Sequence, residues 1–387
     1  MDEIAEFNPR ETIKKGAVAK KVAMDKLQPF CRDIPGYELE AFSGGTRFRN
    51  GDTIMARITP CLENGKTSRV NILDENEVGF GSTEYIVLRA KDGYDSDFLY
   101  YLVTSPVVRE PAIKSMVGSS GRQRVQTDVI QQLEVMVPSL ALQKKISGIL
   151  RALEDKIAIN REINKNLLQQ ATTIFNNALQ QSELVSYTDL GALSDIKGGK
   201  RLPKGVNLIT EPNSHPYIRV RDLNNVIFAS LSKDYEYVDN DTQKSISRYI
   251  TATGDVLISI VGTIGLTAIV DESLDNANLT ENCVKVTNLV GITPEYLLLY
   301  LRSTAGIEAI KKGTVGAVQL KLPIKNIQAI PVPLLPESEM EPLNDVLLAI
   351  FSQIAANVAE SKNLAEARDV LLPKLMSGEL DVSDLDI

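Results

Sequence analysis

Two stretches of this chain, 197 residues apart, look like copies of one another, and each ends in a long amphipathic helix. Thr83-Glu84 returns as Thr280-Glu281, and Ile130-Gln131 returns as Ile327-Gln328. The offset runs on through the helices, where Leu153, Ile157, Asn160, Leu167 and Ile174 match Ile350, Ile354, Asn357, Leu364 and Leu371. Toward the front it drifts to 203, with Gly51-Asp52 against Gly254-Asp255, as insertions in loops would cause. Solenoid units run to about 20–50 residues, so this period is too long for one. It reads as a domain-plus-helix unit duplicated once. Such a chain has a pseudo-two-fold layout and two similar surfaces to present to something that itself has two halves.

The helices are the clearest elements. Residues 139–182 place Leu142, Ile146, Ile149, Leu153, Ile157, Ile163, Leu167, Ala171 and Ile174 at steps of mostly three and four, which makes one apolar stripe. Residues 337–378 do the same with Leu343, Leu347, Ile350, Ile354, Val358, Leu364, Leu371 and Leu375. Ser338 and Glu341 fit a capping box at the start, and Gly378 fits a stop past the end. At ~1.5 Å per residue, about 40 residues make a rod of roughly 60 Å, and a single stripe on such a rod needs a partner. The other helix is the obvious one. Residues 139–182 carry a net charge of +3 and residues 337–387 one of −8, which favours their pairing with each other. An antiparallel pair would act as a coiled-coil spacer. Asn160 and Asn357 lie at matching positions on or beside the stripe; buried there they would fix register, and at its edge they would be solvated.

The remainder divides into globular halves, residues 1–138 and 183–336, with an acidic tail at 379–387. In the first half Ala17 to Leu27 reads as a short helix. Arg57-Ile58-Thr59, Tyr85 to Leu88 and Leu133 to Val137 read as strands, and Phe98 to Val103 as the start of a helix. The second half repeats this, with strands at Val256–Ile260, Cys283–Val286 and Ala329–Val332 and a helix from Tyr296 to Arg302. The expected class is α+β, two similar α/β domains separated by two long antiparallel helices. Among the three cysteines, Cys31, Cys61 and Cys283 form an odd, scattered set that argues for a reducing compartment, taken as the cytoplasm. The most apolar run, Val256 to Val270, is interrupted by glycines, Ser259 and threonines, so it reads as strands and not as a membrane span.

FRNGDTIMARITPCLENGKTSRV at Phe48–Val70, GSTEYIVLRA at Gly81–Ala90, GSSGRQRVQ at Gly118–Gln126 and LLPKLMSGEL at Leu371–Leu380 carry a resemblance. With the domain–helix–domain–helix order, they look like the specificity subunit of type I restriction–modification systems. The resemblance implies that each globular half is a target recognition domain for one half of a split site on double-stranded DNA. It implies helices that space the domains and dock two modification (methyltransferase) subunits. It further implies a complex with restriction subunits. The expected cofactors, S-adenosylmethionine, ATP and Mg, would belong to those partners. None would be held by this chain, which would itself do no chemistry.

The residues are consistent with an absence of catalysis. His215, the single histidine, lies in a loop-like stretch without metal-ligand spacing. Asn64-Gly65-Lys66-Thr67 resembles the tail of a phosphate-binding loop, but Pro60 stands where that pattern needs glycine. Phe7-Asn8-Pro9-Arg10 is only superficially like an adenine-methyltransferase motif.

The DNA-facing candidates are basic and amide residues in polar or glycine-rich loops. Foremost is the loop with Ser119, Ser120, Arg122, Gln123 and Arg124, since Arg can pair with guanine and Gln with adenine, and glycines allow close approach. A solvated turn is its plainer reading. Lys200, Arg201 and Lys204 form a comparable loop in the second half, and Gln319 and Lys321 take the places of Arg122 and Arg124. Arg219 and Arg221 alternate along a strand-like segment and should share a face. Arg47, Arg49 and Arg57 flank Gly51-Asp52, itself read as a structural turn, and Lys66 is read as a surface or DNA-facing residue. Half-sites about one helical turn apart, on the order of 34 Å, would suit two domains approaching from one side. The competing reading is an adaptor whose two domains bind proteins across a coiled-coil spacer.

Overall fold

The computed structural model describes residues 1–119, 121–233, 235–316 and 319–385. The chain divides into two compact units, Met1–Asn160 with Ala359–Ile387, and Arg161–Val358.

In the first unit, β1 (Ala5–Phe7), β2 (Val18–Val22), β3 (Glu38–Ala41), β4 (Thr46–Phe48), β5 (Thr53–Ala56), β6 (Thr67–Arg69), β7 (Gly79–Gly81) and β8 (Tyr85–Ala90) form two four-stranded sheets. Their orders are β1-β8-β5-β6, antiparallel throughout, and β3-β2-β7-β4, in which β2 and β7 run parallel. Strand alternation explains why β5 and β8 are apolar on both faces. Ile54 and Val87 join Val22 and Phe48 in a core between the sheets. Met55, Ile86 and Leu88 point the other way, onto α1 (Ser96–Thr104). Asp95 caps α1 by accepting from the Phe98 amide at 2.8 Å. Next come α2 (Pro106–Lys114), α3 (Thr127–Gln131) and α4 (Leu140–Gln181), the last of which continues into the second unit.

The second unit repeats the plan. Its strands are β9 (Ser186–Asp189), β10 (Asp195–Gly198), β11 (Tyr217–Ile218), β12 (Phe228–Ala229), β13 (Val256–Ser259), β14 (Thr267–Val270), β15 (Asn278–Leu279), β16 (Cys283–Thr287) and β17 (Pro331–Leu334). Its helices are α5 (Leu190–Leu193), α6 (Asn240–Ile246), α7 (Pro294–Arg302), α8 (Thr304–Gly313), α9 (Ile324–Gln328) and α10 (Glu337–Ser377), the last of which returns to the first unit. The antiparallel pairs β13·β16, β13·β14 and β10·β16 answer β5·β8, β5·β6 and β1·β8, and the parallel pair β11·β15 answers β2·β7. Gly51 and Gly254 both take the left-handed conformation, at φ 90° and 85°. The buried Asp52 and Asp255 beside them accept from the backbone amides of Arg49 (2.7 Å) and Ala252 (2.8 Å). The Gly-Asp pair is a turn that starts the central strand.

Within each unit the segments of α4 and α10 run antiparallel. In the first, the buried Asn160 donates to Glu360 at 2.7 Å, while Glu154 meets Arg368. In the second, the buried Asn357 donates to Asn164 at 2.7 Å. Both asparagines are therefore buried and bonded across to the other helix. Leu153, Leu167, Ile350, Leu364 and Leu371 are half-buried, and Ile157 and Ile354 are buried. By length and composition alone an apolar stretch of α10 would suffice to cross a membrane, yet Leu343, Leu347, Phe351 and Ile354 are buried within the second unit.

Several sequence expectations are corrected. Ala17 to Leu27 is not a helix: Val18 and Val22 suit a strand, and β2 is held between β3 and β7. Residues 57–59 leave the sheet after β5, with the Thr59 amide donating to the Gln123 carbonyl at 3.0 Å. Leu133 to Val137 forms no ladder; the backbone beside it supplies two bonds, from Asp2 to Gln131 and from the Met1 ammonium to Leu133. Ser338 lies inside α10, whose first amides are taken by the Pro336 carbonyl, with Glu337 and Glu339 offsetting the positive end. Ile174 is exposed, and Phe175, one position on, enters the core in its place.

Candidate nucleic-acid interface

Between α2 and α3 the chain makes a hairpin closed by Val117 and Arg124, which exchange backbone hydrogen bonds of 3.0 and 2.9 Å. Gly118, at φ 132°, lets the chain turn where a Cβ would press on the Arg122 carbonyl oxygen at 3.0 Å. Between α8 and α9 a second hairpin is closed in the same way by Val315 and Lys321, with two bonds of 2.9 Å. Gly316, at φ 114°, fills the role of Gly118; a Cβ there would lie 2.3 Å from the Gln319 carbonyl oxygen. Each hairpin is bridged to the segment following a central strand, Ile58 to Arg124 in one unit and Val261 to Lys321 in the other. Lys321 thus stands where Arg124 stands. Ser119 and Arg122 are exposed, Gln123 is half-buried, and Gln319 and Lys321 are exposed; Ser120 lies outside the described residues.

The other candidates differ in how their charge is already used. Glu84 holds two of them. Arg124 donates Nε and Nη2 to its carboxylate at 2.7–3.0 Å, and Arg57 donates Nε at 3.2 Å. The Arg124 hydrogen bonds, with help from Arg57, hold the Glu84 carboxyl below its usual range. Arg201 donates Nε to Glu281 at 2.7 Å while remaining largely exposed; burial pushes Glu281 up, but the bonds from Arg201, its own backbone amide and Thr280 together hold it below its usual range. Arg219 and Arg221 both reach Glu236. They do so from a 3-10 turn at Val220–Leu223 and not from a strand, because Asp222 accepts the Arg219 amide and curls the backbone.

Three candidates are spent on the fold. Lys66 is half-buried and donates to the Met24 carbonyl at 2.9 Å, so its reading as a surface residue is corrected. Arg47 donates to the Glu11 carbonyl at 2.6 Å and stacks on Phe42. Arg49 pairs with the Glu11 carboxylate at 2.7 Å, alongside Arg89, which also grips Asp52 by two bonds of 2.7 Å. Lys200 lies over the Tyr249 ring, and Lys204 is exposed. Among the described residues Arg122, Lys204 and Lys321 have no side-chain polar partner.

A family model described as the type I restriction modification DNA specificity domain matches this chain twice, over residues 2–169 and 183–366. The chain belongs to that family. Each match takes in one globular portion and most of the long helix after it, which is the repeat unit read from the sequence. The specificity subunit of the type I restriction enzyme HindI from Haemophilus influenzae is 23% identical, covering 90% of this chain and 89% of its own. That of MjaIX from Methanocaldococcus jannaschii is also 23% identical, over 76% and 71%. A crystal structure of the type I restriction-modification S subunit from M. genitalium aligns over 99% of this chain and 95% of the other, with 17% identity and a TM-score of 0.52; it shares the fold. The chain is accordingly a DNA-recognition subunit and not an enzyme.

For this specificity subunit the basic loops were legible as loops, while the carboxylates that hold Arg124 and Arg201 were not. Glu84 lies 40 residues from Arg124, and Glu281 lies 80 from Arg201, so no local pattern joins them. The available signal was the recurrence of Thr83-Glu84 as Thr280-Glu281, which marked the repeat without revealing its partners.

Proposed function

We propose that this specificity subunit reads a two-part site on double-stranded DNA, one half-site per globular domain. The carrying observation is that the two hairpins, closed at equivalent residues on the same frame, differ in their tips: Ser119, Arg122 and Gln123 in one, Gln319 and Leu320 in the other. A shared frame with unlike tips is what two readers of unlike sequences need. Exposed Arg122, Lys204 and Lys321, with Arg124, Arg57, Arg201, Arg219 and Arg221 on their carboxylates, supply phosphate neutralisation and groove contacts. Residues 139–182 and 337–378 would serve as spacer helices and as docking surfaces for two modification subunits using S-adenosylmethionine. Restriction subunits using ATP and Mg would complete the assembly.

The test is selection from a random-sequence duplex library by the full-length chain, with and without a co-expressed modification subunit. Enrichment of a split consensus supports the reading. Enrichment of nothing, together with retained binding of protein partners, leaves the adaptor reading in its place.

A further inference from the structure

Arg124 gives one edge of its guanidinium, Nε and Nη2, to Glu84, while Nη1 has no partner among the described residues and the side chain is 45% exposed. A guanidinium gripped along its Nε–Nη2 edge keeps a fixed plane and leaves its end, an N–H of Nη1 beside the second N–H of Nη2, for another partner. That end suits the two major-groove acceptors of guanine, O6 and N7. Glu84 is itself anchored: its amide donates to the Ser82 hydroxyl at 3.1 Å, its carbonyl accepts the Arg57 amide at 3.0 Å, and Arg57 Nε braces its carboxylate. The second domain keeps the carboxylate but changes the source of the arginine. Glu281, 197 residues on, holds Nε of Arg201, from the loop after β10, and leaves that side chain 82% exposed. Lys321, at the place of Arg124, meets no carboxylate among the described residues.

We infer that Glu84 and Glu281 are equivalent positioning residues, each aiming one arginine, Arg124 or Arg201, at a guanine in its own half-site. This rests on the two-part recognition reading above. One preserved anchor would then serve two specificities, because each domain brings its arginine to it from a different loop.

The experiment is the same duplex selection with the full-length chain, comparing wild type with Glu84→Gln, Arg124→Lys, the double variant and Glu281→Gln, each checked for a cooperative melting transition above the selection temperature. Glu84→Gln and Arg124→Lys should each relax a guanine preference by about tenfold at the same position of one half-site. The double variant should lose less than the product of the two. Glu281→Gln should relax a guanine in the other half only. Arg124→Lys sits on an exposed loop and keeps the readout available if Glu84→Gln fails to fold. Unchanged preferences in Arg124→Lys, or a uniform loss of affinity across both half-sites, would overturn the inference while leaving two-part recognition standing. If the wild-type chain enriches no sequence, the recognition reading falls and takes the inference with it.

Discussion

At the scale of single residues, the charged side chains of this subunit divide into those that hold the fold and those that remain available. Asp52 is almost fully buried and grips Arg89, which also pairs with Glu11. Asp52→Ala removes one partner of a buried pair and should cost about 3 kcal/mol in urea unfolding. Lys66→Ala should cost about 1 kcal/mol, the worth of its bond to the Met24 carbonyl, and leave the salt dependence of DNA binding unmoved. Arg122→Ala and Lys321→Ala should do the reverse, each lowering the slope of log K against log salt by about 1 with stability preserved. Glu11 and Glu84 both have folded carboxyl values below the ordinary 4.5. The stability they contribute is fully present above about 4.5 and is lost as the pH falls through their lowered values. Circular dichroism on acidification should therefore show the first unit loosening below that point, and Glu84→Gln should lessen the effect.

At the scale of elements, the two copies fasten their helix segments by different chemistry. In the first unit Glu154, 7% exposed, accepts from the Tyr101 hydroxyl at 2.7 Å and from Arg368 at 3.2 Å, with Arg32 nearby. Burial holds the Glu154 carboxyl above its usual range despite these partners, so its ionised form carries a cost there. In the second unit the residues 197 away are Phe351 and Ala171, both fully buried in an apolar core where Phe351 packs edge-on against Phe228. Glu154→Ala should cost about 2 kcal/mol, because it leaves the buried Tyr101 hydroxyl without its acceptor and takes one of two carboxylates from Arg368, which keeps Asp369. Glu154→Phe with Arg368→Ala, which copies the second unit, should recover most of that loss in a denaturant titration. The helices were legible because their apolar period of three to four residues is local in the sequence. Their charged core was not, since Glu154 and Arg368 look like solvated positions until Tyr101 and Arg32 are brought beside them. Ala17 to Leu27 misled for a related reason: the partners of β2, residues 38–41 and 79–81, are distant in sequence.

For the molecule as a whole, the duplication was legible from a few recurring pairs, and the structure extends it to matching strand pairs and hairpins. Where the copies part company, at the hairpin tips and in the source of the anchored arginine, the chain has room for two specificities. Exchanging residues 1–138 for those of a relative should change one half of the recognised sequence and leave the other as it was, read by sequencing the selected duplexes. The most direct test of two-part recognition is selection from a random-sequence duplex library by the full-length subunit with its modification partner. The expected result is a consensus of two specified blocks separated by a fixed unspecified gap. A single contiguous block, or no enriched sequence, would contradict it.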